Sequence, residues 1–310
     1  MSVHGIHHVT AVSAKIEQNL EFYTGVLGLR LVKKSVNQDD VSAYHLFYAD
    51  EAGSPGTDMT FFDWPTIGDE RPGIGSVGLT TFRVPGASLD EWEIRLQEAG
   101  RGPVRDLDES DRNRITFSDP EGQRLALVDD DGLPNLVKPF TGVVPAELAI
   151  RGILGVNLDS AHPDATRRVL TELLGFQDVD GVRFTTQSDS SFGELVVRDP
   201  DGRGHARQGA GGVHHVAFRV KDDQALYEFQ DRIESVGLRT SGYIDRFYFH
   251  SLYFREPGGV LFELATDGPG FASDEEESTL GQKLALPPFL EGRRGEIEAN
   301  LKPIPIPRYL

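Results

Sequence analysis

Cysteine is absent from this 310-residue chain, so no disulfide holds it together. Long apolar runs are missing too: none approaches the ~20 residues needed to cross a bilayer, which excludes a membrane-spanning helix. The N-terminal stretch MSVHGIHHVTAVS lacks a basic region followed by an apolar core, so no secretory signal is read there and the cytoplasm is the expected address. Positive charge is scarce. The 31 Lys and Arg, only seven of them lysine, face 49 Asp and Glu and leave a formal charge of -18. Nucleic acid or an anionic membrane would have to be approached against that field, and neither is an expected partner. So acidic and lysine-poor a surface suits a salt-rich cytoplasm, where screening of carboxylate repulsion would raise stability. What is present, 38% hydrophobic and 26% charged residues, is the composition of a soluble globular protein. The length allows two domains, each with a core that needs no metal staple.

The chain repeats itself. GVHHVAFRV from Gly212 aligns without gaps on SVGLTTFRV from Ser76 and on GIHHVTAVS from Gly5, and GILGVNLDS from Gly152 is a weaker fourth copy. Each copy alternates apolar and polar residues as a strand does, and each precedes a stretch with helical spacing. Ile16, Leu20, Tyr23 and Leu27 run up to Gly28; Trp92 and Leu96 to Gly100; Val169, Leu170, Leu173 and Leu174 to Gly175; Leu226, Phe229 and Ile233 to Gly237. Glycine after the last turn is a stop signal. Short strands follow each helix, the last two joined by Pro257-Gly258-Gly259. The pattern predicts an α+β fold of four βαβββ units, at roughly 3–65, 74–131, 147–200 and 210–268, paired into two domains with curved, mostly antiparallel sheets. Grouping neighbours gives an N-terminal domain at 1–135 and a C-terminal domain at 146–268, with a joint between Asp131 and Ala146. Residues 269–310 form an extension packed on the body; its DEEEST reads as a surface loop or helix start, and the alternate prolines of KPIPIPRYL force extended structure.

Differences between the copies show what each is used for. Units one and four carry His7-His8 and His214-His215, where units two and three have Gly78-Leu79 and Leu154-Gly155. In the last strand, LFELATD places Glu263 where the aligned copies have Leu127 and Phe61. Two imidazoles and one carboxylate on one face, with coordination positions left open, are what non-haem Fe(II) oxygenases use. His8, His215 and Glu263 are therefore the predicted ligands. A lone carboxylate inside an apolar strand would be costly unless a cation neutralised it. Strand alternation lets one member of each His-His pair ligate. Thr10 shares the face of His8, and Tyr253 lies across a hairpin from Glu263. Arg246, among Tyr243, Phe247, Tyr248 and Phe249, either holds an anionic aromatic ligand beside the metal or pairs with Asp245 or another surface acid. His4, His45, His162 and His205 read as surface or structural residues, and His250 is left open. GAGGVHH precedes a strand, so it is not a phosphate loop.

With GIHHVT, GVHHVAFRV and LYFREPGGVLFELATD, essentially the whole chain resembles the vicinal oxygen chelate superfamily. HHVT near the N-terminus, YFREPGG before FELATD, and the tail PPFLEGRRGEIEANLKPI resemble in particular its ring-cleaving dioxygenases that act on hydroquinones. The resemblance implies Fe(II), sometimes Mn(II), on His8, His215 and Glu263. It also implies a small aromatic substrate and O2 as partners, with His7, Thr10, His214, Arg246 and Tyr253 around the substrate. His214 or His7 would then act in acid and base steps, and Arg246 would stabilise oxyanion charge. For His7 and His214 to come near the pocket, a strand bulge or edge-on approach is required. Catechols would present the same phenolate as hydroquinones. The competing expectation is a metal-dependent, glyoxalase-like lyase or isomerase of the same fold, though such sites tend to carry a second glutamate. A metal-free drug-binding protein would need no convergent ligands. Oligomeric state is not legible from the sequence.

Overall fold

The computed structural model describes all residues except 131, 136, 189, 190, 200, 201, 308 and 310, so Asp131 at the expected joint and the end of the third unit at 200 lie outside the described residues. In the first unit β1 (Ile6–Ser13) is followed by α1 (Ile16–Glu21), which widens into a π-helical turn (Phe22–Val26), then by β2 (Arg30–Asn37), β3 (Asp40–Ala49) and β4 (Asp58–Asp63). The second contains β5 (Ser76–Val84), α2 (Leu89–Glu98), β6 (Val104–Leu107), β7 (Asn113–Ser118) and β8 (Arg124–Asp129). The third contains β9 (Ile153–Asp159), α3 (Pro163–Arg168) with its own π-helical turn (Val169–Leu173), β10 (Gln177–Asp178), β11 (Arg183–Ser188) and β12 (Ser191–Arg198). The fourth contains β13 (Val213–Val220), α4 (Asp223–Ser235), β14 (Thr240–Asp245), β15 (Phe249–Arg255) and β16 (Leu261–Pro269). All four helix-ending glycines adopt positive φ, between 68° and 84°, where a side chain would be strained. The Asp222 carboxylate starts α4 by accepting the Ala225 N–H at 3.0 Å.

The strands form two eight-stranded sheets, ordered β14-β15-β16-β13-β1-β4-β3-β2 and β10-β11-β12-β9-β5-β8-β7-β6. This is the expected α+β architecture. The first strand of each unit runs parallel to the last strand of its own unit, and the other pairings are antiparallel. The pairing of units differs from the expected one. Unit one shares a sheet with unit four, and unit two with unit three, so neither sheet corresponds to 1–135 or to 146–268. The reason is the β1–β13 ladder, which sets Thr10 opposite His215. Ligands on the first strands of units one and four can meet only if those strands are neighbours.

Alternation gives each sheet a helix-covered face and a concave one. Along β3, Tyr44, Leu46 and Tyr48 join the main core with Leu20, Tyr23 and Leu27 of the first helix, whereas Phe47 and Ala49 join a second apolar cluster with Ala217, Phe249 and Ala265. That second cluster lines the trough of the first sheet. The C-terminal extension closes one end of it and packs on the body. Leu280, Leu286, Leu290, Ile297 and Leu301 are buried, and the Ala285 N–H donates to the Lys34 carbonyl at 2.9 Å. Part of the acidic run is not a free surface loop. Asp274 and Glu275 clamp the fully buried Lys33, whose Nζ also donates to the Phe271 carbonyl at 3.0 Å and lies 4.6 Å from the centre of the Tyr248 ring. Among the described residues no helix is long and apolar enough to cross a membrane.

Candidate metal centre

β1 and β13 lie side by side at the middle of the first sheet, and each carries one extra residue in the ladder between them. Ile6 faces Phe218 but His8 faces Ala217, so His7 is the unpaired residue of β1; Thr10 faces His215 but Ala11 faces Val213, so His214 is the unpaired residue of β13. A bulge breaks the strict alternation of faces. It turns each leading histidine edge-on to the one that follows: His7 Nδ1 lies 2.9 Å from His8 Nδ1, and His214 Nδ1 lies 2.8 Å from His215 Nδ1. Both leading histidines therefore stand behind the trough-facing ones.

The hydrogen bonds assign the protons on the first pair. The Thr266 carbonyl, 3.1 Å from His7 Nε2, can only accept, so that nitrogen carries the proton. Burial, and then the neighbouring His8, push the His7 pKa down to about 3, leaving its Nδ1 bare at neutral pH. The bare Nδ1 accepts from His8 Nδ1–H, and His8 Nε2 is left with a free lone pair. On the other strand His214 is likewise pushed down to about 3 by burial and then by His215, and a proton on His215 Nδ1 would free its Nε2 in the same way. The two Nε2 atoms lie 3.2 Å apart, and Glu263 Oε2 lies 3.1 Å from the one on His8 and 2.9 Å from the one on His215. Burial alone would raise the Glu263 pKa; positive charge carried by the two imidazoles outweighs it and holds the carboxyl well below its usual range, a place that a cation takes over once both Nε2 atoms are bare. Ser251 Oγ donates to Oε1 at 2.5 Å, while Oε2, fully buried, has no hydrogen-bond donor. Lone pairs and an anionic oxygen thus converge in a dry place, an arrangement that repels itself until a cation sits among them. The nitrogen and oxygen donors suit a first-row divalent metal, and three ligands leave positions open.

The cavity above this triad is lined by Ser35, Val36, Asn37, Gln38 and Asp39, by His45 and Phe47, by Phe62, and by Arg246, Tyr248, Phe249 and Tyr253. Tyr253 is the direct cross-strand neighbour of Glu263, and the Arg246 guanidinium lies 5.3 Å from the centre of its ring. Arg246 lines the cavity and at the same time pairs with an acid, Asp39 at 2.9 Å rather than Asp245. Thr10 lies deeper, its Oγ1 2.8 Å from Thr60 Oγ1. His45 is no surface residue. It shares the concave face with Phe47, lines the cavity, and its Nε2 lies 3.0 Å from Thr60 Oγ1; alternation along HLFYAD would have placed it there. The same alternation along FHSLYF puts Phe249 and Ser251 on the face of Tyr253. His250 points elsewhere, with Nδ1 2.6 Å from Asp223.

The ladders also correct the alignment of Glu263. Glu263 faces Ala217, two residues beyond His215; two residues beyond His8 is Thr10, which faces Thr60 and not Phe61. A slip of one residue exchanges the faces of a strand, and Phe61 is a core residue with its ring centre 4.6 Å from that of Tyr23. In the second sheet the same offset leads to Ala126, across from Thr81. No second carboxylate stands at either equivalent place. Ion pairs occupy the neighbouring region of the second sheet: Arg112 with Glu194 at 2.6 Å, Arg114 with Asp106 at 2.8 Å, and Arg198 with Glu109 at 3.0 Å.

The family model described as Glyoxalase/Bleomycin resistance protein/Dioxygenase superfamily matches residues 5–127 and 154–264. The chain belongs to this superfamily. Within it, the chain is 45% identical to a Bacillus subtilis (strain 168) protein named "Putative ring-cleaving dioxygenase MhqA", over 98% of this chain and 100% of that one. It is 28% identical to the chlorohydroquinone/hydroquinone 1,2-dioxygenase of Sphingobium indicum, over 95% of each chain. A crystal structure from Bacillus subtilis, given the same provisional description as a dioxygenase, superposes with a TM-score of 0.91 at 38% identity, covering 100% of this chain and 99% of that one. The superfamily's two matched segments each contain one member of the β1–β13 pair, so the His8, His215 and Glu263 triad lies on the seam between them.

Proposed function

We propose that the protein is an Fe(II)-dependent, extradiol-type ring-cleaving dioxygenase that opens a hydroquinone-type or catechol-type ring with O2, and that Mn(II) can replace the iron. The observation that carries this reading is the convergence of His8, His215 and Glu263 beneath a cavity walled by Phe47, Phe62, Tyr248, Phe249 and Tyr253. Relatives named as ring-cleaving and hydroquinone dioxygenases support it. When bound, the metal would supply a Lewis-acidic, electron-donating centre with open positions for a phenolate and for O2.

The remaining work falls to the chain. Aromatic walls hold a planar ring and keep water away from the reacting carbons. Arg246 carries its charge at every working pH and donates to an oxygen that becomes anionic during the reaction. Tyr253 stays protonated, because burial and then Glu263 push its pKa up, so it serves as a donor and not as a base. His7 fixes the tautomer of His8, and His214 stands in the matching position behind His215; with its flank open to a groove, His214 is the better placed of the two to pass a proton outward. Thr10 steadies the floor through Thr60.

The test is anaerobic loading of the metal-free protein with Fe(II), then O2 uptake on adding hydroquinone or catechol. Stoichiometric uptake with loss of the aromatic absorbance is expected. No uptake despite one bound metal per chain would overturn the reading in favour of lyase or isomerase chemistry.

A further inference from the structure

Two segments far apart in sequence meet at the mouth of the cavity. One is the turn between β2 and β3, Asn37-Gln38-Asp39; the other is the corner after β14, Arg246-Phe247-Tyr248, where Phe247 takes a φ of 70°. Gln38 Nε2 donates to the Arg246 carbonyl at 2.8 Å. The guanidinium donates from both terminal nitrogens to the Asp39 carboxylate, at 3.2 and 2.9 Å. Arg246 is the one permanent cation among the described lining residues, and this forked pair neutralises it. The partners differ in exposure: the Asp39 side chain is 73% exposed and that of Arg246 17%. The cation is built into the wall, and the acid stands over it at the rim.

The cavity is small, about 40 Å³, and opens to solvent at the rim where Asp39 stands. Asp39 is therefore one of the first charges an entering ring meets. An uncharged diol needs a single N–H from Arg246, and a guanidinium has five, so Asp39 can keep its place. A ring carboxylate competes for the same fork and lies against a like charge if Asp39 stays.

We propose that Asp39 sets the charge selectivity of the site: held across Arg246, it admits uncharged dihydric phenols and turns away rings that bear a carboxylate. This specifies the substrate class of the ring-cleavage reading and rests on it for what the bound ring undergoes. Specificity of this kind comes from a repulsive element as much as from an attractive one.

The experiment is anaerobic calorimetric titration of the Fe(II)-loaded protein with hydroquinone and with 2,5-dihydroxybenzoate, for wild type, Asp39→Asn and Gln38→Ala. Wild type should bind hydroquinone at least about tenfold more tightly, the scale of one like-charge contact near a protein surface. Asp39→Asn should tighten 2,5-dihydroxybenzoate by about tenfold while leaving hydroquinone within about twofold. Gln38→Ala, which loosens the rim with the charge intact, should move both ligands alike; a purely structural role for Asp39 would give that same pattern. Binding of neither ligand, equal binding of both by wild type, or an unchanged ratio in Asp39→Asn overturns the proposal. O2 uptake on hydroquinone, measured in parallel, decides the ring-cleavage reading separately: uptake absent with the binding ratio still switched removes that reading and leaves the selectivity standing.

Discussion

Replacing His7 by phenylalanine keeps an aromatic ring behind β1 but removes both ring nitrogens. His8 Nδ1–H then loses its acceptor at 2.9 Å and the Thr266 carbonyl loses its donor at 3.1 Å, in a place where His7 is 3% exposed. Each buried group left without a partner costs about 1–3 kcal/mol, so the metal-free protein, with two such groups, should lose about 2–6 kcal/mol. For a body of this size that corresponds to a melting point lower by roughly 3–9 °C. The second effect falls on the metal. With its tautomer no longer fixed, His8 spends part of its time with the proton on Nε2, and affinity should drop by about 10–100-fold, as it does when the partner of a ligating histidine is removed elsewhere. Thermal scans of the metal-free protein and competition for Fe(II) against a chelator of known affinity measure the two effects independently. His214→Phe should cost less stability, because its side chain is only half-buried, yet weaken metal binding similarly. If His7→Phe left both melting point and metal affinity at wild-type values while raising KM for the ring, the assignment of His7 to the space behind His8 would be wrong.

His8→Ala, His215→Ala and Glu263→Ala should each abolish metal retention in elemental analysis, whereas Arg246→Ala should keep one metal per chain and lower turnover; an active Glu263→Ala protein would refute the site. Asp58 is 1% exposed and neither carboxylate oxygen has a partner; burial, and then Asp50, hold its pKa well above the usual range. The folded chain therefore keeps a proton that the unfolded chain releases above its ordinary pKa, and stability falls as pH rises from there toward the folded value. Asp58→Val should flatten that slope in denaturant titrations and add about 1–3 kcal/mol at neutral pH. The net charge of -18 predicts a melting point that climbs from low to molar KCl as carboxylate repulsion is screened; a flat profile would dispose of the salt-adaptation idea.

Much of this arrangement could be read from residue patterns because repeats supply their own controls. Histidine pairs in two copies out of four, and a glutamate inside LFEL, singled out His8, His215 and Glu263, which the structure brings within reach of one cation. The same pattern held the answer to the pairing of units. Adjacent segments usually pack together, and that habit joined unit one to unit two, although ligands split between units one and four required those two to share a sheet. Two further gaps have local causes. A gapless comparison pairs Phe61 with Glu263 because it does not register an offset of one residue, and only the ladder identifies Thr60. His45 has no counterpart in the other copies, and a residue used once by one strand is invisible to comparison among repeats. Asp39 lies in a turn, and turns have no period from which facing can be inferred.

The return of the fourth unit to the first has a consequence for the order in which the protein can be made. Units two and three are contiguous, and their sheet has all its strands once β12 ends at Arg198, while β1 must wait for β13. Until then the oldest strand of the nascent chain exposes an unpaired apolar edge, the hazard that long-range pairing brings. His215 and Glu263 arrive later still, so a bound cation would certify that the fourth unit has been made and has closed upon the first. A fragment ending ahead of β13 should contain a folded middle sheet, seen as a protease-resistant core, yet aggregate through its first unit and fail to retain iron.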